Sequence, residues 1–522
     1  MTGSAARSTD PRRLRLASDP YRPAYHYLPP ENWMNDPNGT IFWKGRYHVF
    51  YQANPDGAYH ANIVWGHASS EDLVHWTDHP PALAPTPGGP DRDHCFSGTA
   101  FVNLEGVATA IYHGVPDGIC LATSRDDLLL DWTKHPANPI IPFQRPGDEY
   151  RIGGAPCAWV EGDTYYAITG NSGSFPAPDT AYLFASRDLA HWEYVSPLYV
   201  GGTFTEWGED CGVPDLFPLD DKHVLLFASH TRGAQCYVGS YANQRFTPER
   251  HQRIAFAETG RYGVYNEGLT LLDGKGRRIL IGHLGEGRYA YVQRASGWAG
   301  VCALPSVLSL SEDERLVIDP VPELEALRRE HWHASDIDLT SGSSVRLDGV
   351  GGDSLEIRAV FDWDTAEEFG LKVRCSPAGE EQTLIRFNTN PWGDRRSPTE
   401  RRPFRELVLD ISRSSTSAEV INRQAQRSTL GAHHVLAVDK SPESIRLQQR
   451  VADEAYGHPV ELRVFVDRSI VEVFANGGRH YLANRIYPAR ADSLGVEVFA
   501  LGGGAKVRTV DVWRMEAIWP IA

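Results

Sequence analysis

Ser70-Glu71-Asp72-Leu73-Val74-His75-Trp76 returns as Ser186-Arg187-Asp188-Leu189-Ala190-His191-Trp192, and between them as Ser124-Arg125-Asp126-Asp127-Leu128 closing on Trp132. Looser echoes end at Phe246 and Trp298. The period, roughly 50–60 residues, is the length of four short strands with their turns, the size of one propeller blade. About five such units fit between residues 24 and 320. A hairpin that merely recurs is the competing reading, and three copies at near-equal spacing favour the propeller. In a propeller the same end of every innermost strand faces the central channel, so loops far apart in sequence converge on one pocket.

The segments between the repeats agree with strands. Thr164-Tyr165-Tyr166-Ala167-Ile168, His223-Val224-Leu225-Leu226-Phe227 and Arg278-Ile279-Leu280-Ile281 are β-branched and aromatic runs bounded by turn residues. Pro320 to Glu330 breaks this pattern, with Glu and Arg at helical spacing after a proline, and predicts a linker helix over 321–333. Beyond it Leu355 to Val360, Glu461 to Val466 and Ile470 to Phe474 alternate again, with Asn476-Gly477 as a hairpin turn. The expectation is an all-β chain: a five-bladed β-propeller over 24–320, then a β-sandwich over 334–522. Arg395 to Arg405 reads as an exposed polar loop.

Composition narrows the function. A length of 522 residues suits two domains. The net charge of −16 argues against nucleic acid or an anionic membrane as partner and is compatible with a small neutral substrate. The seven cysteines form no CxxC pair, and His67, His75 and His230 show no ligand spacing, so neither a metal nor another cofactor is expected. An odd number of cysteines, no apolar leader between Met1 and Pro23, and no stretch long enough to cross a bilayer together predict a cytoplasmic protein with free thiols. The sandwich offers a surface for a homo-oligomer, although no spacing requires one.

The chemistry starts at Trp33-Met34-Asn35-Asp36-Pro37-Asn38-Gly39, between strand-like Tyr25-His26-Tyr27-Leu28 and Thr40-Ile41-Phe42-Trp43. Pro37 and Asn38-Gly39 predict a fixed turn that pins one carboxylate, Asp36, at a strand end. Glycoside cleavage needs a second carboxyl group with a raised pKa. Glu206-Trp207-Gly208-Glu209-Asp210-Cys211-Gly212-Val213-Pro214-Asp215 is the richest source, with Glu209 the first choice and Asp210 the second. Turn caps and a solvated acidic loop are the bland alternatives.

These residues resemble glycoside hydrolase family 32, the invertase, levanase and inulinase group. Phe50-Tyr51-Gln52-Ala53-Asn54-Pro55, Trp65-Gly66-His67-Ala68, Phe96-Ser97-Gly98-Thr99-Ala100, Gly297-Trp298-Ala299-Gly300 and Phe465-Val466-Asp467-Arg468-Ser469 follow the first motif in that family's order. The resemblance implies a five-bladed propeller, a β-sandwich and cleavage of β-fructofuranosides with retention. It implies Asp36 as nucleophile and Asn35 as a residue steadying substrate. Gln52, Trp65, Phe96 and Ser97 would lie around the fructosyl unit. Glu209 becomes the acid/base through a longer form of the family's Glu-Cys-Pro-Asp. The family's Arg-Asp-Pro is absent: Tyr150-Arg151-Ile152-Gly153-Gly154-Ala155-Pro156 puts Ala155 where an Asp is expected. Asp148 or Glu149 reaching in, a furanoside with different hydroxyl contacts, or weakened catalysis would each account for it. Arg151 contacts substrate or forms a structural ion pair. Asp93 binds a distal sugar or caps a turn. Asp467 and Glu472 read as structural, packing the sandwich on the propeller. The leading expectation is hydrolysis of sucrose or small fructo-oligosaccharides. A transfructosylase making oligofructosides or difructose dianhydrides, a non-catalytic fructoside-binding protein, and a furanosidase for another sugar are the rivals.

Overall fold

The computed structural model describes residues 10–171, 178–205, 207–254, 265–389, 406–421, 426–429 and 459–519. Glu206 and the polar stretch 395–405 lie outside them.

Five antiparallel sheets form the blades of a propeller. Their innermost strands are β1 (Asn32–Trp43), β2 (His94–Val102), β3 (Pro156–Glu161), β4 (Gly212–Leu219) and β5 (Tyr265–Leu272). The recurring Ser-x-Asp-Leu motif is the turn before each outer strand in the first three blades. Leu73, Leu129 and Leu189 take φ of 65°, 55° and 66° there, a conformation leucine seldom adopts, and all three side chains are buried. Asp188 compensates by accepting from the backbone N–H of Ala190 and His191, both at 2.9 Å, and Asp72 does the same for Val74 and His75. The tryptophan closes the turn: the indoles of Trp132 and Trp192 donate to Leu129 and Leu189 carbonyls at 2.8 and 2.9 Å.

Trp298 departs from the expected pattern. It does not open the outer strand of blade five, which is Leu316–Pro320. Trp298–Ala299 instead pairs in parallel with Asn32 and Trp33 of β1, tying the last blade to the first. Separate apolar clusters fill the joints between blades one and two, two and three, and three and four. A larger cluster joins blades four, five and one to the sandwich through Tyr25, Leu28, Phe465, Ile470 and Trp519.

Two further expectations are corrected. The helix expected over 321–333 is a short 3-10 turn, Pro322–Leu327. From Arg328 onward the backbone pairs with the strand Ala505–Met515, and Arg328 reaches buried Glu356 at 2.7–2.8 Å, so ladder and ion pair prevail over the helical spacing. Tyr25 to Leu28 is not a sheet strand. It bends along the seam with the sandwich, the Tyr25 and His26 N–H groups taken by Asp467 rather than by a neighbouring strand. The sandwich itself is two six-stranded sheets around its own core.

Candidate active site

The segment around Asp36 is a kinked strand rather than a turn. β1 stays paired with Arg46–Asn54 throughout but slips register between Asn35 and Pro37 and again between Asn38 and Ile41. Pro37 donates no ladder bond, and Asp36 and Gly39 absorb the kinks at φ 22° and 49°. Gly39 has a steric reason as well, since a Cβ there would lie 2.6 Å from the Trp65 ring. β2, β4 and β5 slip register at the same end, beside Ser97, Val213 and Glu267. The bulges turn side chains out of the sheets toward the channel. Val213 adopts φ 46°, a conformation a β-branched residue rarely takes.

A cavity of about 240 Å³ opens there. Asn35, Asp36, Gln52, Phe96, Ser97 and Ala155, all singled out in the sequence, line it. Asp36 is buried, and its Oδ2 accepts from Ser97 Oγ at 2.7 Å and from Gln52 Nε2 at 3.0 Å. Gln52 Nε2 also donates to Ser97 Oγ, so one carboxylate oxygen is fixed by a closed triangle. Asn35 Oδ1 and His113 Nε2 are buried without a hydrogen-bond partner among the described residues, and both belong to cavity-lining residues. Buried polar atoms in that condition call for a ligand's polar groups. Phe96, His60 and His113 supply ring surfaces. Burial lowers the pKa of His60 and, assisted by nearby His94, takes His113 down to about 4, so both rings are neutral near pH 7.

Four expected residues are placed elsewhere. Trp65 is fully buried behind β1, its indole N–H donating to the Phe96 carbonyl at 2.9 Å, so it supports the wall instead of lining it. Arg151 is exposed and outside the cavity, as are Asp148 and Glu149, so neither acid fills the space beside Ala155. Glu209 is buried next to blade four. Its carboxylate is clamped by Arg253 at 2.8 and 3.0 Å and by Gln235 Nε2 at 3.2 Å, and it does not line the cavity. Asp210 is buried beneath His230, accepting from its backbone N–H at 2.8 Å and from its Nδ1.

Of three further residues near the centre, Glu267 and His283 went unnoticed in the sequence and His230 was weighed there only as a metal ligand. His230 lines the cavity from the turn that follows Lys222–Ser229. Glu267 and His283 of blade five each place a ligand-type atom within 4.8 Å of Asp36's and of each other, the one such group among the described residues. The signal that finds Glu267 is positional: it occupies on β5 the bulge that Asp36 and Ser97 occupy on β1 and β2. A larger cavity of about 610 Å³ lies between the N-terminal segment and the sandwich, but Asp353 is its one lining carboxylate among the described residues, beside Arg374, Arg490 and Arg514. That set does not suit acid–base cleavage.

Comparison with known proteins agrees with this geometry. The profile described as "Glycosyl hydrolases family 32 N-terminal domain" matches residues 26–320, and "Glycosyl hydrolases family 32 C terminal" matches 323–514. Levanase from Bacillus subtilis is 30% identical over 98% of this chain and 73% of its own length. Sucrose-6-phosphate hydrolase from Zymomonas mobilis is 29% identical, covering 96% of this chain and 94% of that protein. The crystal structure of fructan 1-exohydrolase IIa from Cichorium intybus superposes with a TM-score of 0.81 at 25% identity, over 96% of this chain and 98% of that one.

Proposed function

Because this chain belongs to glycosyl hydrolases family 32 and is therefore a glycoside hydrolase, we propose that it cleaves small β-fructofuranosides with retention, through a covalent fructosyl-enzyme on Asp36. The observation that carries this reading is the Asp36 carboxylate in the cavity, with Oδ2 fixed by Ser97 and Gln52. Two donors hold Oδ2 in place, and Oδ1 is the oxygen that attacks the anomeric carbon. The leaving alcohol departs from the opposite face, and water later releases fructose from the ester. A cavity of about 240 Å³ is smaller than the usual range for drug-sized ligands and suits a single terminal sugar, hence removal of one fructosyl unit at a time. No Lys or Arg lines it among the described residues, which favours a neutral sugar over a sugar phosphate. The names levanase and β-fructofuranosidase among its relatives support fructose as that sugar. All seven cysteines are buried free thiols, in keeping with a reducing, cytoplasmic address.

A second reading, a fructoside-binding protein with little turnover, draws on Gly153, Gly154 and Ala155, which leave blade three without a carboxylate at the cavity among the described residues. Incubation with sucrose and 1-kestose at low and high concentration separates the possibilities. Free fructose at both concentrations is the expected product. Longer oligosaccharides at high substrate would identify a transferase. Calorimetric binding with no sugar released would favour the binding protein.

A further inference from the structure

We propose that the cavity between the N-terminal segment and the sandwich binds a phosphate monoester of a small organic molecule, of hexose-phosphate size, with Arg374 as its anchor. This cavity, about 610 Å³, shares no lining residue with the one around Asp36, so the site is independent of the reaction proposed above.

Arg374 lies near the end of the strand Glu368–Cys375, where side chains ordinarily alternate between two faces. Val373, Arg374 and Cys375 are instead all buried. Pairing with Gly495–Leu501 slips register between Lys372 and Cys375, and Arg374 takes φ 52° inside the slip. A bulge with left-handed backbone re-aims a side chain at some cost in strain. Here it withdraws a guanidinium from solvent, leaving Arg374 7% exposed.

That cation lacks a matching anion. Arg374 Nε donates to the Ser493 carbonyl at 2.7 Å and Nη1 to the Arg468 carbonyl at 3.1 Å, both neutral partners. Among the described residues it forms no ion pair, and its Nη2 makes no hydrogen bond. Asp353, the carboxylate of the cavity, lies 3.8 Å from Arg468 instead. Burial lowers the pKa of Arg374, and the charges of Asp353 and Glu381 offset this only in part. A buried charge in this condition is stabilised by a bound counter-charge, and a guanidinium fork matches the oxygens of a phosphate.

The rest of the lining fits the same ligand. Arg490 pairs with Asp492 at 2.8 Å and Arg514 with Glu330 at 3.4 Å, in exposed pairs that hold them weakly and leave them open to a ligand. Three guanidinium groups against one carboxylate suit a dianion, and a phosphate monoester carries about −1.5 to −2 near pH 7. Tyr21, Pro488, Leu494 and Met515 supply apolar surface for the organic part, in a volume usual for a small-molecule site. The loop carrying Arg490 is fixed in advance: buried Glu381 accepts from the Ala489 and Arg490 N–H groups at 2.9 and 3.1 Å and from Ser493 Oγ at 2.7 Å. A ligand there also touches Tyr21 and Ala24, and so ties the N-terminal segment to the sandwich.

Calorimetric titration of the native protein with glucose 6-phosphate, glucose, gluconate and inorganic phosphate tests the site. Glucose 6-phosphate is expected to bind with a Kd below about 1 mM and to raise the unfolding temperature. Glucose is expected not to bind, and gluconate and inorganic phosphate to bind at least about tenfold more weakly than the ester. Arg374→Gln is expected to weaken the ester at least about tenfold. Arg490→Gln and Arg514→Gln together are expected to weaken it about tenfold with sucrose turnover unchanged, which keeps the site testable should Arg374→Gln not fold. No binding of glucose 6-phosphate by the native chain, equal affinity for gluconate or inorganic phosphate, or full affinity in the Arg490→Gln, Arg514→Gln double variant would overturn the assignment.

Discussion

Asp36→Asn is expected to lower kcat on sucrose by at least about 10⁴-fold while leaving fructoside binding within a few-fold of the native value, because the nucleophile goes and the shape stays. Asparagine is close to isosteric and its side-chain oxygen accepts from Ser97 and Gln52 as Asp36 Oδ2 does, so the wall of the cavity is preserved. Steady-state kinetics paired with calorimetry at substoichiometric turnover reads both quantities. Retention of activity within about 100-fold would move the nucleophile to another residue. Glu267 would be the first to examine, as the carboxylate in the cluster around Asp36.

Asp467→Asn is expected to destabilise the protein by about 3–5 kcal/mol, the usual consequence of breaking a buried charged pair. Asp467 lies in the sandwich yet accepts from the backbone N–H groups of Ala24, Tyr25 and His26 at 2.6, 2.9 and 3.0 Å, and from His26 Nδ1 at 2.7 Å. The other ring nitrogen of His26 meets Glu472 at 2.9 Å, and Glu472 also accepts from Leu304 N–H and the Tyr481 hydroxyl. Both ring nitrogens face carboxylates, so the imidazole is held as a cation between the domains. Burial alone would lower its pKa; hydrogen bonds to Asp467 and Glu472 outweigh burial and raise it to about 9.

The sign of the pH effect follows. A raised pKa stabilises the fold fully below the unfolded value near 6.5, and that contribution, about 3 kcal/mol, is lost as pH rises through about 9. Urea unfolding at pH 6 and pH 10 should show the loss in the native chain and a much smaller one in Asp467→Asn. A cost under about 1 kcal/mol for the variant would contradict a structural role for this clasp.

The blade repeat was legible because the physics behind it is local. A leucine at positive φ needs an Asp two residues from its neighbours' N–H groups and a Trp to close the turn, and all three stand within seven positions of sequence. Trp298 misled for the same reason: its local setting resembles the others, but its partner is Asn32, at the far end of the domain. The Asp36 segment carried every turn residue, yet continuous pairing with Arg46–Asn54 made it a bulged strand.

The site was legible where one motif places a side chain directly, as at Asn35, Asp36 and Ser97. It was illegible where a distant residue decides the matter. Nothing near Glu209 announces that Arg253 and Gln235 will clamp it. Nothing near His230 announces that Asp210 will hold its ring or that Gly212 stands beside it. Glu267 was within reach of reasoning that set the five inner strands side by side at their bulges, since the fold places equivalent positions around one channel.

The central claim is double displacement on one face of a fructosyl unit, and the configuration of a trapped product tests it most directly. Sucrose turned over in aqueous methanol, with the methyl fructofuranoside identified by NMR before it is itself consumed, is predicted to give the β-anomer alone. Initial formation of the α-anomer would mean single displacement by solvent and would contradict a covalent intermediate on Asp36.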